Sequence, residues 1–199
     1  MDSIFDMLSG QLGGSMLDQL SGQLGGNRDA TNSAITAALP AIIGALAKNA
    51  SKPGGADALA NALDRDHDGS VLEDLGGFLN KGGNVKDGDG ILKHVFGERR
   101  PQVEQAISKN SGLDMSAIGK LLPMLAPIVL GALGKAKKEK SLDSGGLGDL
   151  LGLEKKRVQE AAPQLDGLLG MLDLDKDGSV ADEVMGFGAK ILGGLFRKR

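Results

Sequence analysis

The sequence predicts an all-α fold, a multi-helix bundle with an internal duplication, and three observations carry that expectation. Apolar residues recur at spacings of three and four, as on one face of a helix, and no stretch keeps the alternation of a half-buried strand. Aromatics make up only 3% of 199 residues while Gly numbers 32, so the core has to be built from small and aliphatic side chains, which lets helices approach closely. An acidic stretch, Asp64 to Asp74, returns as Asp173 to Glu183, each time between segments that read as helices.

The first 28 residues form a Gly-rich amphipathic arm containing a tandem repeat, Asp6 to Gly14 and again Asp18 to Gly26. Its Leu and Met have near-helical spacing, but each Gly costs a helix about 1 kcal/mol relative to Ala, so a marginal helix ordered by docking is expected. Residues 29–199 read as a single helical domain of two related halves, 29–90 and 91–199. A firm helix should begin at Asp29 or Thr31 and carry Ile35, Ala38, Leu39, Ile42, Ile43 and Leu46, with a bend at Pro40. Its counterpart runs from Met115 to Lys138, capped by Asp114. Aligning Pro40 with Pro127 matches Ala41–Lys48 to Ile128–Lys135. Each half then passes a Gly-rich break (Pro53-Gly54-Gly55; Ser144-Gly145-Gly146) into a short helix, Ala56 to Leu63 or from Pro163 onward, and so into the acidic stretch. Exit helices are expected at Leu72 to Leu79 and from Glu183. Between the halves, Gly82 to Gly90 reads as a polar break. Further helices are expected from Ile91 and from Pro101, the latter stopped at Gly112.

Both acidic stretches spell D-x-D-x-D-G-S-V and end in two adjacent acids. On the twelve-position EF-hand frame, Asp64, Asp66 and Asp68 fall at positions one, three and five, the Ser70 carbonyl at seven and a bend-making glycine at six. Asp173, Asp175, Asp177 and Ser179 repeat this, giving two EF-hand-like helix-loop-helix calcium loops. The frame expects a bidentate Glu at position twelve, where this chain has Leu75 and Val184. The acids stand earlier, as Glu73 and Asp74, and as Asp182 and Glu183, so a shortened loop closed by Asp74 or Glu183 is the proposed ligand set. Val71 and Val180, at position eight, are placed to join the loops. Carboxylates gathered this closely repel, so without a cation they should be disordered or have raised pKa values. Calcium suits a flexible carboxylate loop better than octahedral magnesium. The bland alternative is a pair of solvated turns capping the next helix. Asn84 to Gly90 reads as a capping turn, since its first position would be Val85.

Other chemistry finds little support. Absence of Cys removes disulfides and thiolate catalysis, and His67 and His94 are the only histidines for a triad or zinc site. No phosphate-loop signature occurs, so no enzyme is expected. A net charge of -3 and the lack of Tyr and Trp give no basis for nucleic-acid binding. Leu121 to Gly134 is shorter than the roughly 20 residues needed to span a bilayer, and Ala30 to Ala47 contains Thr, Asn, Ser and Pro. Both read as buried helices, and membrane contact is not expected. Taking Met1 as the natural start, no secretory signal is seen and the expected address is the cytoplasm. The basic clusters near Lys135, Lys155 and Arg197 read as solvated helix ends.

The run Ile91 to Gly97, the Gly112-Leu113-Asp114 break, the helix from Leu121-Leu122-Pro123 to Gly134-Lys135 and the D-x-D-x-D-G-S-V loops together resemble a bacterial family, domain of unknown function 937, over roughly Ala30 to Phe196. The resemblance implies a helical fold with acidic loops and lends no activity. The expected function is a non-enzymatic calcium-binding protein whose loops support the fold or a surface for a protein partner or a second copy. The alternative is a helical assembly or scaffold protein whose Asp loops are structural turns. The long apolar helices would also suit a carrier of hydrophobic ligands.

Overall fold

The computed structural model describes residues 3–161, and the regular elements among them are all helical. In chain order these are α1 (Ile4–Gln11), α2 (Gly14–Leu24), α3 (Arg28–Ser51), α4 (Gly55–Asp66), α5 (Leu75–Asn80), α6 (Val85–Phe96), α7 (Arg100–Ser111), α8 (Met115–Glu139) and α9 (Ser144–Ala161). Short 3₁₀ turns occupy Ser70–Leu72 and Gly97–Arg99.

The two long apolar segments become the two long helices. Asn27 caps α3 by accepting from the Ala30 N–H at 2.7 Å, so the helix starts slightly ahead of Asp29. Asp114 caps α8 as expected, accepting from the Ala117 N–H at 2.9 Å. Gly112 ends α7 at φ +78°. α3 runs unbroken through Pro40, and α8 through Pro123 and Pro127.

Ile42, Ile43, Leu121, Leu125 and Val129 are fully buried. α3 is packed by α2, α4, α7, α8 and α9, and α8 by α4, α6, α7 and the first 3₁₀ turn. Helices enclosed on so many sides have no polar face to show, which is why their apolar residues are not confined to one stripe. Both are long and apolar enough to cross a membrane, yet 78% and 89% of their most apolar windows are buried within this fold.

The N-terminal repeat forms α1 and α2, one copy in each. Leu8, Leu12, Leu17, Leu20 and Leu24 enter the common core. Glu154 on α9 fastens the start of α1. It is 1% exposed, and its Oε2 accepts from the Ser3 hydroxyl at 2.6 Å and from the Phe5 N–H at 3.4 Å.

Two segments differ from expectation. Ser144-Gly145-Gly146, read as a break, is the first turn of α9, where Asp143 accepts from the Gly146 N–H at 2.8 Å. Leu147, Leu151, Glu154 and Val158 are its buried side. Likewise Lys86 to Gly90 is helical, because α6 begins at Val85 under an Asn84 cap. A side chain at Gly88 would overlap the Pro123 carbonyl, so that glycine lets α6 lie directly on α8.

Candidate functional site

The first acidic stretch straddles the end of one helix and the start of the next. α4 continues past Leu63 to Asp66, which puts Asp64 and Asp66 on its last turn, with His67 as the C-cap. Residues two apart on a helix do not face each other, so helicity alone turns these two carboxylates apart. The chain then bends at Gly69, at φ +102°, passes through the Ser70–Leu72 turn, and enters α5 three residues later than the expected Leu72.

Each of the four aspartates has its own protein partner. Asp64 receives Lys137 Nζ on both oxygens, at 2.6 and 2.9 Å, and Asp66 receives Arg65 Nη2 at 2.8 Å. Asp68 Oδ1 accepts from the Ser70 N–H at 3.1 Å. Asp74, placed by sequence as the closing ligand, is the N-cap of α5, accepting from the Gly77 N–H at 2.8 Å. Among the described residues, no group of three or more His, Cys, Asp or Glu side chains is gathered to hold a metal ion. The donor types suit a hard cation, but their arrangement here does not converge on one point.

Two expectations about the cation-free loop are corrected accordingly. It is ordered, and Asp68 titrates below the usual aspartate value instead of above it. The Ser70 backbone N–H and then the Ser70 hydroxyl stabilise its charged form. Repulsion fails to raise it because the neighbouring acids point elsewhere.

What orders the loop is α8. Gly131 and Gly134 lie one turn apart on one face of that helix, leaving a trough. A side chain at Gly134 would overlap the His67 carbonyl oxygen, one at Gly131 would overlap Val71, and one at Gly69 would come to 2.8 Å from Lys135 Cβ. At Gly134 loop and helix backbones therefore meet directly, and at Gly131 the space is taken by the Val71 side chain. Val71, expected to turn toward the second loop, packs at this trough. Val180 and the whole second stretch, Asp173, Asp175, Asp177, Ser179 and Glu183, lie outside the described residues. Lys137 belongs to a cluster read as a solvated helix end, yet its side chain is only 14% exposed, and it spans from α8 to Asp64.

Lys137, Gly131 and Gly134 are thus the residues that sequence reasoning missed. The signal that could have found them is the pair of glycines three apart inside an otherwise apolar helix, a mark of close backbone approach. Of the two histidines, His67 is half-buried as the α4 cap, and His94 is exposed with Nδ1 2.9 Å from the Gly90 carbonyl oxygen.

A family model described as a bacterial protein of unknown function, DUF937, matches residues 6–136. The match takes in α1 and α2, which the sequence resemblance left out, together with the first acidic stretch. It ends inside α8, ahead of Asp173 to Glu183. No curated protein and no solved structure matches the chain.

Proposed function

The chain belongs to the bacterial protein family of unknown function DUF937, and on that footing we propose a non-enzymatic role in which the Asp64–Asp74 loop is a cation-responsive clasp on α8, with calcium as its ligand. The observation that carries this is the Asp64–Lys137 ion pair. An ammonium group from α8 meets the carboxylate that the EF-hand frame assigns to position one. Calcium would compete with Lys137 for Asp64 and recruit Asp66, Asp68, the Ser70 carbonyl and one acid of the Glu73–Asp74 pair.

Further support comes from exposure and backbone shape. Asp64, Asp66 and Asp68 are all exposed, and Gly69 has the positive φ that the sixth position of such a loop needs. Because Asp64 and Asp66 sit two apart on a helix, gathering them requires the last turn of α4 to unwind. Cation binding and local unwinding would then be one event, moving the loop on α8 and with it the surface open to a partner. The second stretch repeats the same donors and is the proposed second site.

Calorimetric titration tests this: about two calcium ions per chain should bind, with the amides of Arg65 and Asp66 losing helical shifts. Asp64→Ala with Asp173→Ala should abolish the heat. Flat heat at millimolar calcium would end the calcium reading.

A second reading, a helical assembly or scaffold protein with metal-free turns, is favoured by the local hydrogen bonds of Asp68 and Asp74. Both are ordinary capping and turn contacts. It predicts oligomers whose size, by light scattering across protein concentrations, does not respond to chelator.

A further inference from the structure

A cleft of 810 Å³ separates α4 from α6, and Arg65, Asp66 and His67 of the acidic stretch line one of its mouths. Its volume falls within the roughly 300–1,000 Å³ of small-molecule sites. Leu46 of α3 and Leu130 of α8 lie at its floor, both buried, and Leu59 and Ile91 line its walls. Small residues keep it open: Ala58 and Ala62 on the α4 side, and Gly90 on the α6 side. Both flanking helices have 12 residues, which makes the walls about 18 Å long.

The polar groups are distributed unevenly along this length. Near the C-terminus of α6 they are consumed internally. Asn49 donates to the His94 and Val95 carbonyls at 3.2 and 3.1 Å, and His94 Nδ1 lies 2.9 Å from the Gly90 carbonyl oxygen. At the opposite mouth, Arg65 is taken by Asp66 at 2.8 Å, and the Asn84 side chain by the Asp87 N–H at 3.3 Å. Among the described residues Lys86, on the first turn of α6, is the cation at this mouth without an ion pair; Asp87 lines the mouth beside it, and the helix N-terminus adds its own partial positive charge. The result is an apolar channel with one charged end, where Lys86 and the helix N-terminus stand against Asp87 once Arg65 and Asp66 have paired.

We propose that this cleft binds a single medium-length acyl chain ending in an anionic oxygen head, with the tail between Leu59 and Ile91 and the head at Lys86. Free acyl acids and membrane lipids share this chemistry. One mouth shares Asp66 with the proposed calcium loop, but acyl binding does not require that loop to hold calcium, so it is read in chelator.

Dodecanoate below its micelle concentration, titrated into the full chain, should bind saturably at one site. Ala58 is exposed on the cleft wall, so Ala58→Leu fills the channel without touching the core. It should weaken binding on the order of tenfold, as the loss of fit in an apolar pocket does, with the circular dichroism unchanged. Lys86→Gln should weaken dodecanoate about fivefold and leave dodecanol unaffected. A second arm, sedimentation with phosphatidylglycerol vesicles, separates the sources. Vesicle binding that Ala58→Leu abolishes assigns a membrane lipid, and dodecanoate binding without vesicle binding assigns a free acid. Non-saturable uptake, or wild-type behaviour of Ala58→Leu in both arms, overturns the proposal.

Discussion

Replacing Gly134 by Ala should destabilise the protein although alanine is the better helix former. In the middle of a helix that exchange is worth about 1 kcal/mol in favour of Ala. Here the new Cβ would overlap the His67 carbonyl oxygen, which is loop backbone and cannot rotate away as a side chain would. Overpacking of this kind costs about 1–3 kcal/mol. With a fixed backbone atom as the obstacle, the upper part of that range applies, leaving a net loss of about 1–2 kcal/mol. For a chain of this length that lowers the melting temperature by about 2–8 °C. Gly119 is the internal control, since it lies on the same helix with nothing within 4 Å of its would-be Cβ. Gly119→Ala should raise the melting temperature by about 2–4 °C. Thermal unfolding followed by circular dichroism reads both variants. If Gly134→Ala stabilises as much as Gly119→Ala, the loop does not rest on α8 and the clasp is wrong.

Glu154→Ala leaves the Ser3 hydroxyl without its buried acceptor, while the Phe5 N–H keeps Ser3 Oγ, at a cost of about 1–3 kcal/mol. Hydrogen exchange of the α1 amides should speed up by about tenfold or more, while the core of α3 stays protected. Asp68 has a pKa depressed by folding, so its contribution is present above the unfolded aspartate value and is lost as pH falls through the folded one. Melting curves of wild type and Asp68→Asn should therefore differ at neutral pH and converge under acid, below the usual aspartate range. A gap that persists there would show that the Asp68 charge is not what the Ser70 N–H recognises.

The legible parts of the fold were those in which local chemistry and packing agree. Asp114 caps α8, Gly112 stops α7, and Ile118, Leu121 and Leu125 are buried where their spacing placed them. The misread parts are glycines whose purpose is tertiary. Gly88 looked like a break in a polar loop because nothing nearby in sequence shows that Pro123 lies against it. Gly145 and Gly146 read locally as punctuation, although Leu147, Leu151, Glu154 and Val158 behind them keep a helical period.

The acidic stretch was legible as a turn with a left-handed glycine and a helix-capping acid. The partners of its carboxylates were not. Lys137 stands 73 residues from Asp64, and a lysine in a run of lysines carries no mark of which one will be buried. The length of α4 was the other hidden fact. Extending it through Asp66 places positions one and three of the EF-hand frame on different sides of a helix, and spacing on a loop template cannot show that.

The central claim is that one cationic contact at Asp64 can be exchanged for another. Thermal unfolding of the Asp173→Ala chain, with and without Lys137→Met, in calcium, magnesium and chelator tests it with the second stretch disabled. Met keeps the buried stem of Lys137 while removing its charge, so in chelator Lys137→Met should lose up to about 1 kcal/mol, the scale of a partly exposed ion pair. Calcium should stabilise both proteins, by about 2.7 kcal/mol at a hundredfold excess over Kd. The gain should appear at lower calcium in Lys137→Met, where no ammonium competes. Superimposable curves in calcium and chelator for both proteins would contradict the account and leave the loop a structural turn.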